Sequence, residues 1–152
     1  MEQTGLDRDG AAARLASSGG VSYTPPNDYL DLVTSVISDY AAKGQAMIVG
    51  RGGQMILRQQ PGVLHVQVVA SFETRVYNII QREGVKWREA AHRVRLSDEQ
   101  RAGYMRRFYN MDWLDSGLYD LIINTEQIAI DVAAAMIIQA AKAIGAATEA
   151  EG

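Results

Sequence analysis

No cysteine occurs in the 152 residues, which excludes disulfides, thiolate nucleophiles and cysteine-ligated zinc. Histidine is nearly as scarce. His65 and His92 stand far apart without ligands at metal-binding spacing, so no metal site is expected. Lysine occurs only as Lys43, Lys86 and Lys142, and no Gly-Lys-Ser or Gly-Lys-Thr is present. The chain therefore lacks the loop that uses a lysine and a hydroxyl on phosphate and magnesium. No apolar run approaches the roughly 20 residues of a membrane span, and the opening MEQTGLDRDG has no apolar signal-peptide segment. With 47% hydrophobic and 22% charged residues, these absences predict one soluble globular domain in the cytoplasm, without a membrane partner.

What is present is unevenly charged. Between Arg51 and Arg107 there are eleven Lys/Arg against five Asp/Glu, about +6 locally, while the flanks together carry about −9. A basic middle of this kind suits a polyanion, either the phosphates of a nucleotide or a nucleic-acid backbone, or else forms the charged faces of surface helices. Nucleic acid is disfavoured, because the acidic flanks offset the charge and the aromatics fall mostly at core-like spacings.

The chain is organised around Met47–Leu57, MIVGRGGQMIL. Met47–Val49 reads as a strand buried on both faces, Gly50, Gly52 and Gly53 permit a sharp turn and close approach to a ligand, and Gln54 begins a short helix running to Gln60. Amides at that helix start, with Arg51 among them, would make an anion seat. A tight turn with a solvated arginine fits the same eleven residues.

Before this turn, residues 1–26 read as a weakly ordered lead-in ending at Pro25-Pro26, and Asn27 or Asp28 caps a helix ending near Lys43-Gly44. After it, Val63–Ala70 is a second strand, with Leu64, Val66 and Val68 on one face and His65 and Gln67 on the other. Ser71 caps a helix with a stripe of Phe72, Val76, Ile79 and Ile80, ended by Gly84. Lys86–Leu96 forms another helix, and Ser97 caps a further one, SDEQRAGYMRRFY. Asp98 and Arg101 lie three apart, and Arg95, Arg106 and Arg107 stand near enough to converge on one surface. Two arginine-bearing helices joined by a break would make a mobile phosphate-gripping lid over residues 86–110, or a basic hairpin held by surface ion pairs. Leu118–Thr125 reads as a third strand, and Ile128–Ile144 as a closing helix stopped by Gly145, with 146–152 a frayed tail. The expected fold class is α/β, with a core over 27–145.

The succession GRGGQMIL, PGVLHVQVVASFETRV, QREGV, SDEQRAGYMRRFYNMDW and YDLIINT resembles the cytidylate-kinase-like family of P-loop nucleoside monophosphate kinases, over about Tyr29 to Ile144. The resemblance implies a three-layer parallel sheet with helices on both faces and a helical lid. It also implies ATP-dependent phosphoryl transfer to a CMP-like nucleotide, with ATP and magnesium as cofactors if the chain is active and none otherwise. Arg51 with Gly52 would bind the acceptor phosphate, and Asp98 with Arg101 the acceptor nucleotide. Arg95, Arg101, Arg106 and Arg107 would close over the transferred phosphoryl group, and Asn124 and Thr125 would sit beside the ATP base.

The departure from the family is at the amino terminus. The strand, glycine-rich loop and helix that cradle donor phosphates have no counterpart, and Ser18-Gly19-Gly20 has no apolar strand before it and Tyr23-Thr24-Pro25-Pro26 after it. By resemblance the absent strand is the central one. The sheet would then close by direct pairing, by recruiting residues 1–23, or by borrowing a strand from another chain in a homodimer or complementing assembly. Two functions follow from this pattern. One is a nucleotide kinase completed by a donor site from elsewhere and inactive alone, and the other a non-catalytic nucleotide- or phosphate-binding regulatory or scaffolding module.

Overall fold

A computed structural model describes residues 26–151. Two compact units divide the chain, 1–32 and 33–152, and the described part of the first is the start of one helix. The lead-in reading over 1–25 lies outside the described residues.

In order, the elements are α1 (Pro26–Lys43), α2 (Gly53–Ile56), β1 (Val66–Val69), α3 (Phe72–Glu83), α4 (Trp87–Tyr109), a 3-10 turn (Ser116–Leu118), β2 (Leu121–Asn124) and α5 (Ile130–Glu151). α1 opens one residue before the expected cap, on a proline. The ring fixes φ near the helical value and the missing N–H is one the first turn leaves unpaired anyway.

β1 and β2 pair in parallel, Val66 opposite Leu121 through Val69 opposite Asn124. The ladder is lengthened at its start, where Asp120 N–H donates to the His65 carbonyl at 2.8 Å and His65 N–H to the Asp120 carboxylate at 2.7 Å. At its end Thr125 N–H donates to the Val69 carbonyl at 2.9 Å. The connection between the strands is the helical pair α3–α4. The Ser71 hydroxyl accepts from Thr74 N–H at 3.3 Å to start α3, and Gly84 at φ +68° ends it, as the sequence predicts. Val76 on α3 is sealed against Ala90, Ala91 and Val94 on α4, with Phe72, Ile79, Ile80 and Val85 around them. The two alanines bring the helix backbones close, and each fully buried aliphatic chain contributes about 1.5–3 kcal/mol.

Several expectations are corrected. Met47–Val49 joins no ladder and is not buried: Met47 is 89% and Val49 82% exposed. An apolar run becomes a strand only where a neighbour takes its N–H and C=O groups, and among the described residues none does. The sheet described therefore has two strands rather than three, and a three-layer arrangement is not seen in it. Of the two faces expected for β1, the one carrying Gln67 is the more covered: Gln67 is 8% exposed and Val68 56%. Alternation gives the period of a strand, but the phase depends on which side is covered.

The helix expected to break at Ser97 does not. Trp87 to Tyr109 is one helix of 23 residues, and the hairpin turn lies earlier, at Gly84–Lys86. Ser97, Asp98 and Glu99 are signs of a helix start, but inside a helix such residues cost only tenths of a kcal/mol each, too little to break one packed on α3. Asn110, in the left-handed region at φ +52°, ends it. Gly145 does not stop α5, which runs on to Glu151. A glycine costs about 1 kcal/mol in a helix, and the alanines on either side offset that. α5 is largely exposed, with Ala133 its buried residue and Ile130 77% exposed. Its span Ile130–Thr148 is long and apolar enough, by length and composition, to cross a membrane. The expectation that no such run exists is thus also corrected: the span carries two charges, Asp131 and Lys142, among otherwise mostly apolar and small residues.

Candidate functional site

The Gly50–Gly52 turn is left-handed throughout, with φ +78° at Gly50, +57° at Arg51 and +72° at Gly52. Left-handed backbone costs a side-chain-bearing residue about 1–2 kcal/mol, so Arg51 is held there by its surroundings. Two contacts do this. The Tyr104 hydroxyl donates to the Arg51 carbonyl at 3.1 Å, and the Tyr109 ring lies where a Cβ on Gly52 would be, 2.5 Å from its ideal position. α2, which follows, is a single turn of four residues. Its dipole is too small to seat an anion, so the charge the turn offers is that of Arg51.

This turn forms one wall of a cavity of about 710 Å³. β1 supplies Val66, Gln67 and Val68, α2 Gln54, and α4 Ser97, Gln100, Arg101, Tyr104 and Met105, with Trp113 and Tyr119 closing it from the segment before β2. Arg51 and Arg101 are the charged side chains of this lining. Arg101 is held from three sides: Nη2 donates to the Ser97 hydroxyl at 3.0 Å, Nη1 lies 3.6 Å from Asp98 Oδ1, and the guanidinium sits over the Trp113 ring at 5.4 Å. The stacking adds a cation–π attraction that holds the guanidinium plane beside the cavity.

The floor is a polar network centred on the Trp113 carbonyl. Tyr119 hydroxyl donates to it at 2.7 Å, and Gln67 Nε2 at 3.3 Å. That second bond is why a glutamine is tolerated inward on β1, since a buried amide needs a partner. Gln54 Nε2 in turn donates to the Tyr119 hydroxyl at 3.4 Å and to the Met105 sulfur at 3.7 Å. Burial is the largest influence on Tyr119 and raises its phenol pKa above the usual 10.0, outweighing the opposing Gln54 hydrogen bond.

Of the residues singled out in the sequence, the structure brings Arg51, Gly52 and Arg101 to this cavity. Asp98 stands outside the lining, between Arg75 and Arg101. Arg95 stacks on Phe72 at 5.1 Å, and Arg107 on Phe108 at 5.3 Å. Arg106 lines a separate cleft of about 240 Å³ with Asn110 and Asp112. These three arginines do not converge with Arg101, because the unbroken α4 distributes them around its circumference. Asn124 and Thr125 close the carboxyl ends of the strands: Asn124 Oδ1 accepts from Glu126 N–H at 3.0 Å, and Thr125 hydroxyl donates to the Val69 carbonyl at 3.2 Å. Sequence reasoning missed Gln54, Gln67, Tyr104, Trp113 and Tyr119 as lining. Three of them sit in the quoted motif runs RAGYMRRFYNMDW and YDLIINT, where the aromatic residues were the available signal.

Among the described residues no group of three His, Cys, Asp or Glu gathers as a metal site.

Compared with known proteins, residues 3–127 match the sequence model of the cytidylate kinase-like family. A cytidylate kinase of Methanothrix thermoacetophila is 31% identical over 113 residues, 74% of this chain and 59% of its own. A uronate isomerase of Corynebacterium glutamicum is 24% identical over 129 residues, 85% of this chain and 23% of its own. The chain thus spans about a quarter of the one relative and three fifths of the other. The crystal structure of an uncharacterized protein from Eubacterium ventriosum superposes with a TM-score of 0.71 at 26% identity, covering 80% of this chain and 69% of that one.

Proposed function

Because the chain belongs to the cytidylate kinase-like family, we propose that the cavity is the acceptor site for a CMP-like nucleoside monophosphate. The observation that carries this is that Arg51 and Arg101, fifty positions apart in sequence, line one cavity together with Trp113, Tyr104 and Tyr119. Two guanidiniums suit a phosphate, aromatic rings suit a base, and the volume falls in the usual range for a small-molecule site. Arg51 orients the acceptor phosphate and Arg101 balances its charge, so the contribution of these residues to phosphoryl transfer is positioning and electrostatic.

The family relation points to ATP and magnesium as cofactors in general. A donor site supplied by a complementing chain or a second copy would complete the kinase, and without one the chain would be a nucleotide-binding module without turnover.

Calorimetric titration with CMP tests the site. Weak binding is expected for the unaltered chain, and Arg51→Ala should weaken it by roughly 10- to 100-fold, the worth of one charge-assisted contact of about 1.5–3 kcal/mol. Equal binding by both proteins would remove the acceptor-site assignment. Steady ADP formation from ATP, CMP and magnesium by the isolated chain would refute the reading without turnover.

A further inference from the structure

Arg75 lies outside the cavity lining, one turn into α3, yet its guanidinium Nη1 is 2.8 Å from Asp98 Oδ1 on α4. The same oxygen is 3.6 Å from Arg101 Nη1. Arg75 Nε is buried with no hydrogen-bond partner among the described residues. A buried N–H left unpaired costs about 1–3 kcal/mol, so stability alone is a poor reason for an arginine here. We propose that Arg75 is a positioning residue for the cavity: it takes up the Asp98 carboxylate, so that Arg101 stays over Trp113 with its charge directed at a bound anion. This rests on the acceptor-site reading and extends it to a residue behind the site.

Were Asp98 paired with Arg101 alone, the pair would be nearly neutral and the guanidinium drawn toward the carboxylate. With Arg75 as the nearer partner, the three groups carry a net positive charge, and Arg101 is left the longer, weaker contact. Removing Arg75 lets Asp98 close on Arg101, which moves the guanidinium off the Trp113 ring and cancels its charge. Removing the carboxylate as well, by Asp98→Asn, takes away the competitor and should restore part of the effect.

The test uses the full chain carrying Trp87→Phe, which leaves Trp113 as the lone tryptophan. Its single indole N–H signal in a nitrogen–proton correlation spectrum reports whether Arg101 is stacked, with or without ligand. Arg75→Leu should move this signal toward its position in Arg101→Ala. It should also weaken CMP binding about tenfold while leaving cytidine, which lacks the phosphate, unchanged within twofold. Arg75→Leu with Asp98→Asn should recover part of the loss. If Arg75→Leu leaves both the signal and CMP affinity unchanged, or weakens CMP and cytidine alike, the proposal is overturned. Should Arg75→Leu unfold the chain, Arg75→Lys, which keeps the charge but not the fork, must show the smaller shift in the same direction; no shift also overturns it. If the unaltered chain binds no CMP but the indole signal moves as described, the acceptor-site reading fails while the control of Arg101 by Arg75 stands.

Discussion

Gly52→Ala probes the turn on which the cavity depends. Two separate costs follow from the structure. An alanine at φ +72° occupies the left-handed region at about 1–2 kcal/mol. Its Cβ also falls 2.5 Å from Tyr109 Cε2 and 3.0 Å from Cζ, an overlap that forces the ring or the backbone to move, at about 1–3 kcal/mol. Restricting the unfolded chain returns about 0.4–1 kcal/mol, so the net loss should be about 2–4 kcal/mol. Gly50→Ala supplies the control. Its φ is +78°, but a Cβ there meets nothing within 4 Å, so it carries only the backbone cost and should lose about 1 kcal/mol. Urea unfolding followed by circular dichroism would read both from their midpoints, provided the slope is unchanged. In a Tyr109→Ala background the excess cost of Gly52→Ala should vanish. The displaced ring also borders Tyr104, 6.2 Å away between centroids, whose hydroxyl holds the Arg51 carbonyl. CMP affinity should therefore fall with Gly52→Ala and hold with Gly50→Ala. Equal destabilisation by the two alanines would refute the contact argument, leaving only the shared backbone cost.

Three further outcomes are expected. Ile123→Ala, at the most enclosed large side chain of β2, should destabilise by about 2–5 kcal/mol in the same urea assay. Ser71→Ala removes a helix cap that also donates to Glu126 at 3.0 Å; a loss of about 1 kcal/mol is expected, and fraying of α3 should show in amide exchange at Thr74. Tyr119, its pKa raised by burial, should be among the last phenols to ionise in an ultraviolet titration, and Tyr119→Phe should remove that late step. With the folded pKa above the unfolded one, the Tyr119 contribution to stability is full below pH 10 and is lost as pH rises through the folded value.

What could be read from the sequence was what is decided locally. The Ser71 cap and the Gly84 stop are set by a few adjacent residues, and both are found. The Arg51 turn was legible because three glycines around one arginine permit little else. Met47–Val49 was misread because strand formation is decided by a partner, which no local pattern reveals. Which face of β1 is covered has the same origin: Gln67 is accommodated inward because the Trp113 carbonyl, 46 positions away, accepts its amide. The lining aromatics were seen in the sequence but not placed, since their convergence depends on how the segment after α4 returns to β2.

Ser97 shows how one such error concealed the architecture of the site. A break there would give a hinge, with Arg95 on one helix and Arg101 on the next. The unbroken helix instead places Ser97, Asp98 and Arg101 along a single face, four and three positions apart, where both of the first two reach the third. A hinge at Ser97 would disturb both contacts and release Arg101 from Trp113. Continuity of α4 through Ser97 is therefore what fixes the cationic side of the cavity.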